Sequence, residues 1–161
     1  MSQYLSVFAT AAGQAATLVA YDELVQVWPV PCLELDIPTC GGITHVIASG
    51  PEDAEPVVLL HAYFATATSW YRTAGALSER YRVYSVDILG DVGRSRPVRP
   101  MISLDDFALW FSELADGLGA ARVHLVGRQP RLPASVRTGG VRADRGAHAP
   151  DCRRSRADLF P

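Results

Sequence analysis

The sequence contains no lysine and no asparagine, and all 15 of its basic residues are arginine. Codons for both missing residues are A-rich, so the double absence marks a GC-rich coding sequence. Cysteine is scarce too. Cys32, Cys40 and Cys152 are odd in number, widely spaced and form no C-x-x-C pair. That pattern argues against a disulfide framework or a structural metal, and leaves unpaired thiols as the expectation. No metal and no cofactor is expected. No apolar run approaches the ~20 residues a membrane span needs, so no membrane partner is expected. The opening MSQYLSVFATAAG lacks the basic start of a secretory signal, the first arginine being Arg72, and the cytoplasm is the expected location. A formal net charge of only -2 gives no electrostatic pull toward nucleic acid or anionic lipid. The remaining totals suit one ordinary globular domain: 161 residues, 48% hydrophobic and 20% charged.

The order of elements is legible in the apolar spacing. Residues 9–28 are Ala-rich, with Leu18, Tyr21, Leu24 or Val25, and Trp28 at helical intervals, and Pro29 and Pro31 stop that helix. Cys32–Ile37 alternates as a half-buried strand does, and THVIAS reads as a second strand after the Gly41-Gly42 turn. Val57–Leu60 is wholly apolar and β-branched at its start, as in a strand covered on both faces. Trp70, Ala74, Leu77 and Tyr81 define a helical face over 69–81. Tyr81–Asp87 is the next strand, followed by the Gly-rich loop DILGDVGRSRP. Ser103 caps a further helix with Asp106 as its capping-box partner. Leu104, Phe107, Phe111, Leu114 and Leu118 form the expected buried stripe, and Gly117 and Gly119 end it. Arg122–Val126 is a last buried strand. Strands alternating with helices predict parallel pairing through crossovers, hence an α/β layered sheet with ligands at the strand C-terminal ends.

Past Val126 the periodicity stops. Residues 128–161 hold eight arginines with scattered proline and glycine. Little there can be buried to offset backbone ordering at ~1–2 kcal/mol per residue, so a disordered tail is expected. The chain therefore divides into 1–127, a folded part, and 128–161, an Arg/Pro/Gly-rich extension.

The stretches WPVP, GGITHVIASGPEDAEPVVLLHAYFATATSW, YRVYSVDILGDVGRS and ARVHLVG resemble the α/β-hydrolase superfamily, and within it the small bacterial carboxylesterases. They cover about residues 20–127 in the family's order and spacing. The resemblance implies a partial α/β-hydrolase fold: a mostly parallel sheet with crossover helices, truncated after the fifth strand. It also implies a small-molecule carboxylic ester as substrate and a serine nucleophile.

In LLHAYF, the second residue after His61 occupies the family position that donates a backbone N–H to the oxyanion hole. Tyr63 is thus the oxyanion-hole candidate. Ala62 stands where glycine is usual and is strained if a positive φ is needed. His61 by itself reads as a structural histidine, and the resemblance gives it the task of holding the loop. Asp87, Gly90, Gly93 and Ser95 follow the family's Asp-x-x-Gly-x-Gly-x-Ser pattern, with the glycines one residue further apart than is commonest. No G-K-[ST] follows them, so a phosphate-cradling P-loop is set aside. His61, Phe64, Asp87 and Ser95 are expected to line the site, Asp87 and Ser95 as structural groups.

The nucleophile elbow is where the pattern breaks. RVHLVG leads into it, Gly127 fits the first glycine of G-x-S-x-G and Arg128 the variable position. Gln129 then stands in the serine position. A glutamine amide is no acyl acceptor at neutral pH. Pro130 has no N–H to offer an oxyanion, and Arg131 brings a Cβ where glycine is required. Asp144, Asp151, Asp158 and His148 lie on no recognisable strand ends, so no catalytic residue is intact. A one-base shift near codon 128 accounts for both the lost elbow and the lost periodicity. CGC AGC CTC GGC encodes Arg-Ser-Leu-Gly, and one inserted C turns it into Arg-Gln-Pro-Arg, the residues at 128–131.

These readings make the chain an ester hydrolase by descent, inactive as it stands. Dehalogenase and epoxide hydrolase branches share the upstream motifs and use aspartate at the elbow. A non-catalytic binding protein on a degenerate hydrolase scaffold is the alternative. Nucleic-acid binding by the tail is disfavoured, because Asp144, Asp151 and Asp158 dilute its charge and no aromatic residue precedes Phe160.

Overall fold

The structure is a computed structural model and describes residues 5–128. Its elements run α1 (Ala11–Gln26), β1 (Cys32–Thr39), β2 (Gly42–Ser49), β3 (Glu55–Leu60), a 3-10 turn (Ala67–Trp70), α2 (Tyr71–Leu77), β4 (Tyr81–Val86), β5 (Arg96–Pro97), α3 (Leu104–Gly117) and β6 (His124–Gly127). The sheet order is β1-β2-β4-β3-β6, with the two-residue β5 paired to β2 off that path. Strands β4, β3 and β6 are parallel, joined by the two crossovers. The N-terminal strands add an antiparallel half, β1 on β2 and β2 on β4. The sheet is therefore mixed rather than mostly parallel. The short turn Cys40–Gly41 folds β1 directly back onto β2, and an antiparallel hairpin needs no crossover.

Alternation along the strands builds two cores. Ile47, Val57, Leu59 and Val83 face Tyr21 and Trp28 from the α1 side and Trp70 and Ala74 from the α2 side. Val46, Ala48, Val58, Tyr84 and Val86 face the other way, onto Trp110 and Leu114 of α3. Burial on both faces explains why Val57–Leu60 of β3 is a wholly apolar run.

The helix expected over 69–81 is shorter. It opens as the 3-10 turn and ends at Leu77, because Tyr81 begins β4. The α3 stripe is also displaced from expectation. Trp110 and Leu114 are its buried residues and Phe111 and Leu118 pack beside them, whereas Leu104 is 75% and Phe107 38% exposed. Trp110 wins the central place through its size and because its indole N–H donates to buried Thr44 Oγ1 at 2.8 Å. The capping box is as expected: Asp106 N–H donates to Ser103 Oγ, and Ser103 N–H to Asp106 Oδ2. Gly119, at φ +69, closes the helix.

An alternating run of charges latches α1 to the sheet. Arg94 bonds Asp22 and lies 3.8 Å from Glu34. Glu34 and Asp36 take the two ring nitrogens of His45, each at 2.9 Å, and Arg96 bonds Asp36 at 2.7 Å. Burial pushes Asp36 upward, but its bonds to His45 and Arg96 outweigh that and hold its carboxyl below the usual range.

At the other edge the strand expected to be buried is not: all four residues of β6 are exposed, including Leu125 and Val126, because no further strand or helix among the described residues covers them, and Val123 packs partly on the α3 face. The disorder expected of the tail concerns residues that, Arg128 excepted, lie outside the described ones. No helix among the described residues is long and apolar enough to cross a membrane.

Two stability predictions follow from α3. Trp110→Ala is expected to cost about 3–5 kcal/mol, while Leu104→Ala stays within about 0.5 kcal/mol. Urea melts of both variants check the reassigned stripe. Asp106 is held well below the carboxylate range, by the Arg99 bond first and then by Ser103. A depressed folded-state pKa gives stability that is present above the unfolded value and lost as pH falls below about 4. Melts across the acid range should show that loss, and Arg99→Ala should flatten it.

Candidate active site

The strand C-terminal ends, where a parallel sheet gathers its ligands, bring three loops together: 61–66 after β3, 87–95 after β4, and Arg128 after β6. His61 is buried and joins the first two. Its Nδ1 bonds the Ala62 carbonyl and its Nε2 lies 2.9 Å from the Ile88 N–H. The second bond makes Nε2 the acceptor, so the proton sits on Nδ1 and both ring nitrogens are occupied in holding loops.

Ala62 is not strained. The positive φ of this loop falls on Phe64, at +60°, the sole non-glycine with positive φ among the described residues. Such a conformation costs on the order of 1–3 kcal/mol. Asp91 offsets it: its Oδ2 accepts from the Phe64 N–H at 3.1 Å, and its Oδ1 from the Val92 N–H at 2.8 Å. The bend leaves the Tyr63 N–H without an acceptor among the described residues. An unspent backbone donor at a strand end is what an oxyanion requires.

Asp87 lies behind this loop and fixes it from below. The carboxylate is fully buried; Oδ1 accepts from the Ala67 N–H at 2.7 Å and Oδ2 from the Arg94 N–H at 2.8 Å. Burial pushes its pKa up, and the two backbone bonds offset only part of that rise. Gly93 lies against the carboxylate, where a Cβ would come within 2.6 Å of the Asp87 carboxyl carbon. Only glycine fits there, at φ +132. Ser95 is buried too. Its hydroxyl donates to the Asp87 carbonyl at 2.7 Å and accepts from the His45 N–H at 2.9 Å. Tyr21 packs nearby and is held as the neutral phenol, by burial first and then by the charge of Asp87.

A cavity of about 480 Å³ opens at this point, lined by His61, Tyr63, Asp91 and Arg128 against Leu89, Met101 and Phe107. Phe64 turns toward a second cleft on the other side of Arg128. Asp87 lines neither cavity, and Ser95 lines a third, beside His45, Glu34 and Asp36. The structure thus brings His61 and Tyr63 together, gives Phe64 the bend, and sets Asp87 and Ser95 underneath as supports.

Two residues of the site were not anticipated. Asp91 stood in the sequence only as a spacer between glycines. Its role needs the distant contact with Phe64, which no local pattern reports. Arg128 occupied the variable position of the elbow. In the structure its N–H donates to the Leu60 carbonyl, extending the β3–β6 register, and its guanidinium stacks 4.3 Å from the Trp70 ring. Gln129, expected at the nucleophile position, lies outside the described residues, as do Asp144, His148, Asp151 and Asp158.

The alpha/beta hydrolase family pattern matches residues 57–128. The carboxylesterase nap of Bacillus subtilis, itself described as uncharacterized, is 44% identical over 107 residues, covering 66% of this chain and 36% of that protein. The crystal structure of naproxen esterase from Bacillus subtilis superposes with a TM-score of 0.67 at 42% identity, covering 69% of this chain and 39% of that one. The carboxylesterase CesB (YbfK) of the same organism gives 0.70 at 37% identity, over 73% and 41%. The chain spans about a third of the length of the curated relatives it matches, 36% in both carboxylesterases. With this sheet order, these loops and these relatives, the chain belongs to the α/β-hydrolase superfamily and resembles part of an esterase.

Proposed function

We propose that this chain carries the scaffold of a carboxylic ester hydrolase and is inactive as it stands. The observation that carries the scaffold reading is the 61–66 loop: a bend held by Asp91, in which Tyr63, its N–H unspent, lines a largely apolar cavity. A donor so placed stabilises charge that develops on a substrate carbonyl oxygen, a contribution of about 2.7–4 kcal/mol where one such donor has been removed from a working site. Relatives named as carboxylesterases support an ester as the substrate class. In that role His61 does no proton transfer, since both ring nitrogens are engaged.

Inactivity is read from Gln129, Pro130 and Arg131. They replace the attacking hydroxyl, the second oxyanion donor and the small residue of the elbow. The family match stops at Arg128, one residue before that substitution. A reading-frame change close to codon 128 in a GC-rich gene explains why the break is so abrupt. A non-catalytic binding role is the second reading, favoured by the fact that Ser6, the serine lining the cavity among the described residues, hydrogen-bonds only the Phe8 backbone and no general base.

The expected result with a short-chain nitrophenyl ester is turnover at the background rate. Sustained hydrolysis above it would show that another nucleophile serves the Tyr63 amide. The gene tests the second half of the proposal: reading the DNA after codon 127 in the neighbouring frame should restore Ser-x-Gly and a run of alternating strands and helices. A shifted frame without them would remove the reading-frame explanation.

A further inference from the structure

The cleft on the far side of Arg128 is not needed for the ester-hydrolase reading. It measures about 570 Å³, and its polar lining consists of arginine and hydroxyl groups with no carboxylate. Two of the chain's arginines meet there without an acidic partner among the described residues. Arg72 is bonded only to the Tyr71 hydroxyl, at 3.1 Å. Arg128 rests on the Trp70 ring and donates to the Ser69 carbonyl at 3.3 Å. By contrast, Arg94, Arg96 and Arg99 each hold a carboxylate.

Ser69 lines the same cleft, with its Oγ buried beneath the surface and without a hydrogen-bond partner among the described residues. Thr66 and Thr68, by comparison, satisfy each other at 2.7 Å. Two unpaired guanidinium groups in a concave wall of one sign concentrate anions, and each presents a fork of donors suited to phosphate or carboxylate oxygens. Phe64, Tyr71 and Leu24 supply apolar surface next to them.

We propose that this cleft binds the anionic head, phosphate or carboxylate, of a small amphipathic molecule, with Arg72 and Arg128 as its cations. Arg128 and the 61–66 loop border both this cleft and the oxyanion cavity, so the bound anion sits beside the candidate reaction centre. The link to chemistry rests on the ester-hydrolase reading, but binding is measured without turnover and stands or falls separately.

The test is calorimetric titration of the full chain at low ionic strength with phenyl phosphate and with phenylacetate, and with phenol as the neutral control. At least one anion should bind saturably at one site and phenol should not, and the anion that binds identifies the head group. Arg72→Gln and Arg128→Gln should each weaken binding roughly tenfold, and added salt should weaken it further. Arg72 is exposed and contacts only Tyr71, so its variant reads the site without disturbing the fold. No saturable binding of either anion, or equal affinity in the doubly substituted chain, would overturn the proposal.

Discussion

The Asp87 carboxylate is the point on which the site depends. It sits at the end of β4, wholly out of water, and its two oxygens take the amides of Ala67 and Arg94. One amide belongs to the connection leaving β3, the other to the loop leaving β4. A buried carboxylate is costly unless its oxygens are bonded, and here both are bonded to backbone from opposite loops. The bond through Asp87 therefore works in two directions. It offsets part of the cost of its own burial, and together with the His61–Ile88 bond it joins the two loops.

Much of the neighbouring sequence follows from that arrangement. Gly93 must lack a Cβ because the carboxyl group occupies the space. Ser95 must be small and must both donate and accept, since it spans the Asp87 carbonyl and the His45 amide. Above this base His61 and Asp91 tie the outer parts of the same loops, and the left-handed Phe64 leaves the Tyr63 amide unspent. The strain at Phe64 is tolerated because Asp91 takes its N–H, while the Tyr63 ring lies tilted against the Phe64 ring with centroids 4.1 Å apart. The oxyanion-type donor is thus the outermost consequence of a hydrogen-bond scheme that begins in the core.

The strands and helices are legible because burial on both faces of β3 leaves the apolar run Val57–Leu60, and because Ser103 with Asp106 spells a helix start. Helical spacing puts Leu104 and Phe107 in the α3 stripe, and the structure leaves both exposed. Spacing alone allows several faces, and the sheet selects the one that seats Trp110 against Thr44. The antiparallel half of the sheet is legible in the Gly41-Gly42 turn, which leaves no room for a crossover between β1 and β2, but the strand–helix alternation that follows points to a mostly parallel sheet. In the site, His61 and Tyr63 were visible through the family-like LLHAYF motif. Asp91 was not, since its partner Phe64 lies 27 residues away. Arg128 was seen as a filler at a variable position, and its stacking on Trp70 is purely tertiary.

On the proposed reading, the loop donor and the nucleophile it would serve are separated in this chain, and the 61–66 bend is held by core contacts upstream of Gly127. The most direct measurement is native-state hydrogen exchange of the Ala67 and Arg94 amides in the Asp87→Ala chain, compared with the unaltered one. Both amides are expected to lose protection together while Val58 and Tyr84, in the centre of the sheet, keep theirs. Unchanged protection at Ala67 and Arg94 would contradict the role given to Asp87.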